Sequence, residues 1–135
     1  MTPTQEADTD RAENPIGFSA VSLVVLRKRA DFLKAASARR QGTHGFLLQG
    51  RDRGDGALTV RVGFTASKKI GNAVLRNRAK RRLRALAREV LAARANPGWD
   101  YVLVARPETT VTRPYADLSL DLTQALQSLH RAARR

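Results

Sequence analysis

Apolar and polar positions alternate most regularly between Leu58 and Thr65. Leu58, Val60, Val62 and Phe64 interleave with Thr59, Arg61, Gly63 and Thr65, which predicts a strand with one core face and one polar face. Upstream, Phe46 to Arg51 is a short apolar run bounded by turn residues and reads as a second strand. Asp52 to Gly56, with Gly54 and Gly56, reads as the hairpin loop joining the two. Before them, Ala30, Phe32, Leu33, Ala35, Ala36 and Ala38 sit among arginines and lysines, predicting a short amphipathic helix from Arg27 to about Arg40. Gly42, Thr43 and Gly45 end it.

From Asn72 to Ala93 the period becomes helical. Leu75, Ala79, Leu83, Leu86 and Val90 fall within an arc of about 80°, beside an i, i+4 column of Arg76, Lys80, Arg84 and Arg88. Pro97 and Gly98 stop this helix, and Tyr101 to Ala105 is a continuous apolar run suited to a strand buried on both faces. Pro114 opens a last helix with Leu118, Leu122, Ala125, Leu126 and Leu129 on one stripe. The predicted order is helix, two strands, helix, strand, helix, with no internal repeat.

A chain of 135 residues holds one domain with one core, and 42% hydrophobic content is enough to build it. Lys and Arg number 25 against 12 Asp and Glu, a formal net charge of +13, which calls for a polyanionic partner. There is no cysteine, which excludes disulfides, thiolate metal sites and thiol nucleophiles. The absence fits a reducing cytoplasm, the expected location. Residues 1–25 read as a disordered acidic head and lead-in, with Glu6, Asp8, Asp10 and Glu13, and residues 131–135 as a basic tail. The apolar run from Val21 to Leu26 is far short of a membrane span, so no membrane partner is expected.

Between Lys68 and Arg88 lie nine basic residues and no acid. Like charges at i, i+4 repel by a few tenths of a kcal/mol per pair, so this column opposes folding until a partner supplies phosphates. Arginine dominates, and its planar fork grips phosphate or stacks on unpaired bases, which favours RNA.

The segment Gly63-Phe64-Thr65-Ala66-Ser67-Lys68-Lys69-Ile70-Gly71-Asn72-Ala73-Val74-Leu75-Arg76-Asn77-Arg78-Ala79-Lys80-Arg81-Arg82-Leu83-Arg84 resembles the signature of the protein subunit of bacterial ribonuclease P. Weaker likeness extends to Leu26 through Phe32 and to Asp100 through Pro107, so that residues 26–130 resemble the family's RNA-binding domain. The resemblance implies an α+β fold: a single-domain α/β sandwich of order αβββαβα with a left-handed βαβ crossover, an exception to the usual handedness. One further short strand, or a split of residues 57–67, would reconcile that order with the pattern above. It also implies a protein that carries no catalytic residue. In the family the RNA subunit cleaves precursor tRNA with magnesium, while the protein contacts the RNA and the 5′ leader; no cofactor of the protein alone and no obligate protein partner is expected.

Carried over by position, the resemblance assigns Arg76, Asn77, Arg78, Lys80, Arg81, Arg82, Arg84 and Arg88 to the ribonuclease P RNA, with Lys68 and Lys69 as phosphate contacts. Phe32, Thr65 and Ser67 match the family's leader groove between the first helix and the sheet, and Arg51 and Arg61 add phosphate contacts there. Ala36 and Gln49 stand where relatives carry aromatic residues, which weakens base stacking in the groove. Phe32 suits either the core or the groove.

The rival readings are weaker. His44 and His130 are isolated, which disfavours a self-contained metal nuclease and leaves the expected metal ligands of the chain at none. Asp100 and Glu108 read as loop or cap residues, and Trp99 as a lid on the core. A helix-turn-helix lacks its second helix, and a membrane-surface helix at 74–93 lacks interfacial Trp or Phe. A general RNA-binding or ribosomal protein explains the charge equally well and differs only in lacking the Lys68 to Arg84 signature.

Overall fold

The computed structural model describes residues 23–133, so the acidic head up to residue 22 and the end of the basic tail lie outside the described residues. The chain runs β1 (Leu23–Val25), α1 (Arg29–Ala36), β2 (Arg39–Gly42), β3 (Phe46–Asp52), β4 (Val60–Thr65), a 3-10 turn (Lys68–Ile70), α2 (Ala73–Leu86), β5 (Trp99–Ala105), α3 (Thr109–Thr112) and α4 (Tyr115–Ala133). A wide π-type turn at Ala87–Leu91 and a last helical turn at Ala92–Arg94 prolong α2. From α1 onward the order is αβββαβα with the small α3 added, in agreement with the expected α+β sandwich.

The five strands form one sheet in the order β1-β4-β5-β3-β2. β5 is parallel to β4 and antiparallel to β3. Its central place follows from its composition, since Trp99 through Leu103 are all buried and apolar side chains leave it on both faces. This arrangement overturns the hairpin expected at Asp52–Gly56. β5 stands between β3 and β4, so residues 53–59 cross the end of the sheet, tied down by Arg53, whose guanidinium donates to the Thr59 and Trp99 carbonyls at 2.7 and 3.2 Å. The true hairpin is β2–β3, turned through Thr43, whose hydroxyl accepts from Gly45 and Phe46 N–H.

Two further expectations change at the N-terminal side. The first helix ends at Ala36 rather than near Arg40, and Arg39 and Arg40 become the edge strand β2, the additional strand needed by the pattern. Residues 23–25 pair in parallel with Val60–Val62, so the sheet begins upstream of residue 26.

One face of the sheet carries the main core. Phe46, Leu48, Val60, Val62, Tyr101 and Leu103 meet Ala79, Leu83 and Leu86 of α2 and Leu118, Leu122, Leu126 and Leu129 of α4. Full burial of such side chains contributes about 1.5–3 kcal/mol each. Trp99 is buried at the edge of this core, stacked near Tyr101 and edge-on to His130. The Tyr101 hydroxyl accepts from Asn96 N–H at 2.9 Å and lies 2.7 Å from His130 Nε2, and burial pushes this phenol well above its ordinary pKa. The other face carries a smaller cluster of Leu26, Ala35 and Val102, with Phe32 and Val104 against it, and this is where α1 sits.

Candidate RNA interface

The strand register arranges the α1-facing side of the sheet into three cross-strand rows. Arg51 pairs with Asp100 and Asp100 with Arg61; Gln49 with Val102 and Val102 with Gly63; Leu47 with Val104 and Val104 with Thr65. Successive rows lie two residues, or about 7 Å, apart.

The middle row lies beneath α1. Ala35 packs toward Val102, and the Phe32 ring rests on Gly63, where a Cβ would fall 2.5 Å from its Cε1. Only glycine permits that approach. Phe32 is half-buried: its ring packs on the small core and over Gly63 while part of the residue stays accessible. Gln49 is buried and Ala36 half-buried, and neither offers a ring on which a base could stack.

Leu47, Val104 and Thr65 form a half-exposed, uncharged row beyond α1. Exposed cations border it: Lys68 and Lys69 follow β4, and Arg106 follows β5. Leu47, Val104 and Arg106 were absent from the sequence-based assignment. The period-two alternation of β5 could have placed Val104 here, but only sheet order reveals Leu47 and Thr65 as its neighbours. Ser67 is exposed and its hydroxyl accepts from Lys69 N–H at 3.3 Å, capping the turn that carries the lysine pair.

The first row differs. Asp100 is fully buried in β5, not in a loop or cap as expected, and it gathers the arginines. Arg61 donates to both its carboxylate oxygens at 2.7 and 2.6 Å, Arg53 donates at 2.8 Å, and the Arg51 guanidinium stands 3.8 Å away. Arg61 also reaches Asp31 of α1 at 3.3 Å. Hydrogen bonding to Asp100 raises the pKa of Arg61 against the lowering effect of burial. The Arg61 guanidinium is therefore engaged internally, whereas Arg51 keeps its remaining donors. Glu108 occupies the N-cap position of α3 at positive φ with no side-chain cap bond.

On the opposite side, Asn72 starts α2 by accepting from Leu75 N–H at 3.0 Å. Ala79, Leu83 and Leu86 turn to the core, and this orients the cations outward. Asn77, Arg78, Arg81, Arg84 and Arg88 are exposed; Arg76 and Lys80 are half-buried. Among the described residues, Lys68, Lys69, Arg76, Arg78, Lys80, Arg81 and Arg88 have no ion pair or side-chain hydrogen bond. Arg84 lies over the Phe64 ring at 5.8 Å from its centroid. Arg82 departs from the outward set: its guanidinium donates to the carbonyls of Thr110 and Arg113 at 2.9 and 2.7 Å, strapping the α3 segment to α2. Nearby, Tyr115 donates to Glu89 at 2.7 Å, and burial followed by that bond pushes its pKa up to about 12.

The residues from Thr65 to Asn72 thus join the half-exposed row, the lysine turn and the α2 cations into one continuous track. A half-exposed uncharged row bordered by cations suits an unpaired strand, and a helix of free arginines suits structured phosphate. No helix among the described residues is long and apolar enough to cross a membrane. Fold and track together define an RNA-binding α/β protein.

Comparison with known proteins agrees. A family model described as Ribonuclease P matches residues 22–130. A ribonuclease P protein component of Ruegeria pomeroyi is 61% identical over 107 residues, covering 78% of this chain and 86% of the relative. Its counterpart in Caulobacter vibrioides is 56% identical over 104 residues, with 77% and 69% covered. The solved Staphylococcus aureus RNase P protein superimposes with a TM-score of 0.63 at 25% identity, over 77% of this chain and 93% of that one. The Thermotoga maritima RNase P protein shares the fold with a TM-score of 0.64 at 24% identity, over 76% and 94%. The chain belongs to the ribonuclease P protein family. It has the role of protein subunit of that endoribonuclease in tRNA processing, in partnership with the ribonuclease P RNA, and the general RNA-binding or ribosomal reading is not favoured.

Proposed function

We propose that α2 and the Lys68–Lys69 turn dock on the catalytic RNA, while the groove beside α1 receives the 5′ leader of precursor tRNA. The single observation that carries this reading is the continuity of the two surfaces through Thr65 to Asn72. It leads one RNA partner directly to another across the cleavage site. In this reading Arg76, Asn77, Arg78, Lys80, Arg81, Arg84 and Arg88 contact the ribonuclease P RNA. Phe32, Thr65, Ser67 and Arg51 contact the leader, and Arg61 and Arg82 act by holding the fold around them.

The active site lies in the RNA, with magnesium held there. Among the described residues no three His, Asp or Glu groups stand together, and Asp31 and Asp100 are bound by arginines. The protein acts in the cytoplasm, where precursor tRNA is made.

The test is cleavage of precursor tRNA by a bacterial ribonuclease P RNA at low magnesium, with and without this protein, using long and very short leaders. Stimulation chiefly of the long-leader substrate is the expected result. Equal stimulation of both would remove the groove from substrate binding.

A further inference from the structure

α1 is only eight residues long, has no side-chain N-cap and buries a single residue fully, Ala35. So short a helix does not hold its own shape or place without tertiary contacts. Among the described residues three contacts place it: Ala35 toward Val102, Phe32 on Gly63, and the Asp31–Arg61 pair. The first two are apolar and non-directional. The third continues into the sheet, because Arg61 spans Asp31 on one side and fully buried Asp100 on the other.

The charges around this relay balance. Arg51, Arg53 and Arg61 face Asp31, Asp55 and Asp100. With their charges paired to one another, Asp31, Arg61 and Asp100 exert little pull on phosphate, so their effect on a strand in the groove is exerted through geometry. We propose that the Asp31–Arg61–Asp100 relay positions α1 over the sheet, setting the width of the groove and hence its grip on an unpaired 5′ strand that none of the three residues touches. Asp31 and Arg61 are positioning residues; this inference rests on the leader reading above.

Asp31→Asn separates this role from a phosphate contact by the sign of its effect. Loss of a negative charge beside an RNA path would raise affinity by simple electrostatics, whereas a loosened α1 lowers it. With the holoenzyme reconstituted from this chain and a bacterial ribonuclease P RNA, Asp31→Asn is expected to lower the long-over-short leader preference by up to about fivefold. Affinity for the RNA alone and its salt dependence stay unchanged, amide exchange in α1 accelerates, and Asp31→Glu restores the preference. A raised preference, or unchanged exchange in α1, overturns the relay. Faster exchange with an unchanged preference overturns its link to the groove. If the wild-type holoenzyme shows no leader preference, the leader reading fails, and exchange in α1 still decides whether the relay holds the helix.

Discussion

On α2, Arg76, Arg78, Arg81 and Arg88 have no ion pair or side-chain hydrogen bond among the described residues, whereas across the sheet Arg53 and Arg61 converge on Asp100 with Arg51 beside them. The same side chain serves opposite ends in the two regions. Free arginines raise the free energy of the isolated protein through mutual repulsion and lower that of the complex. Arginines around a buried carboxylate do the reverse, because each satisfies a group that would be costly to leave unpaired. Charge count alone cannot separate the two.

Substitution should therefore give contrasting signatures, the largest at Asp100. Asp100→Ala leaves several guanidinium groups without their carboxylate and is expected to cost about 3–5 kcal/mol in denaturant unfolding. An effect below 1 kcal/mol would show that water compensates the arginines. Next comes Arg82→Ala, which frees the carbonyls of Thr110 and Arg113. A loss of about 1–3 kcal/mol is expected, with the salt dependence of RNA binding unchanged; a shallower salt slope would place Arg82 among the RNA contacts.

Arg76→Ala and Arg78→Ala should behave oppositely, each flattening the salt slope of binding to ribonuclease P RNA by about one unit. Stability should hold or rise by a few tenths of a kcal/mol as like-charge repulsion falls. Wild-type slopes with reduced stability would move these residues to the structural group.

The smallest effect concerns Asp55, whose pKa is lowered first by the hydrogen bond from Arg53 and then by the one from Ala57 N–H. A depressed carboxylate stabilises the fold above its unfolded pKa, and that contribution disappears as pH falls through the lowered folded value. Asp55→Asn should remove this acid-limb component, seen as a smaller drop in melting temperature below about pH 4. An identical acid profile would mean that the pair contributes nothing to stability.

Local pattern made much of the architecture legible. The alternation read from Leu58 to Thr65 became β4 only from Val60 on, leaving Leu58 exposed outside the strand, while the arc of Leu75 to Val90 and the stripe of Leu118 to Leu129 became helices with the expected buried sides. The α2 cations were legible for the same reason, since a helix that buries Ala79, Leu83 and Leu86 must turn its arginines elsewhere. Arg39 and Arg40 misled because good helix formers carried the pattern past Ala36, while pairing with Gly50 and Gln49 drew them into the sheet.

What the sequence determined by itself was whatever depends on neighbours a few residues apart: periodicity, the one-signed run from Lys68 to Arg88, and the family signature that overlaps it. Tertiary structure alone decided that β5 separates β3 from β4, that Asp100 is buried among arginines 39 and 47 residues away, and that Arg82 donates to the carbonyls of Thr110 and Arg113. Strand order and ion-pair partners are choices among distant segments, made by which arrangement buries the doubly apolar β5 and leaves no buried charge unpaired.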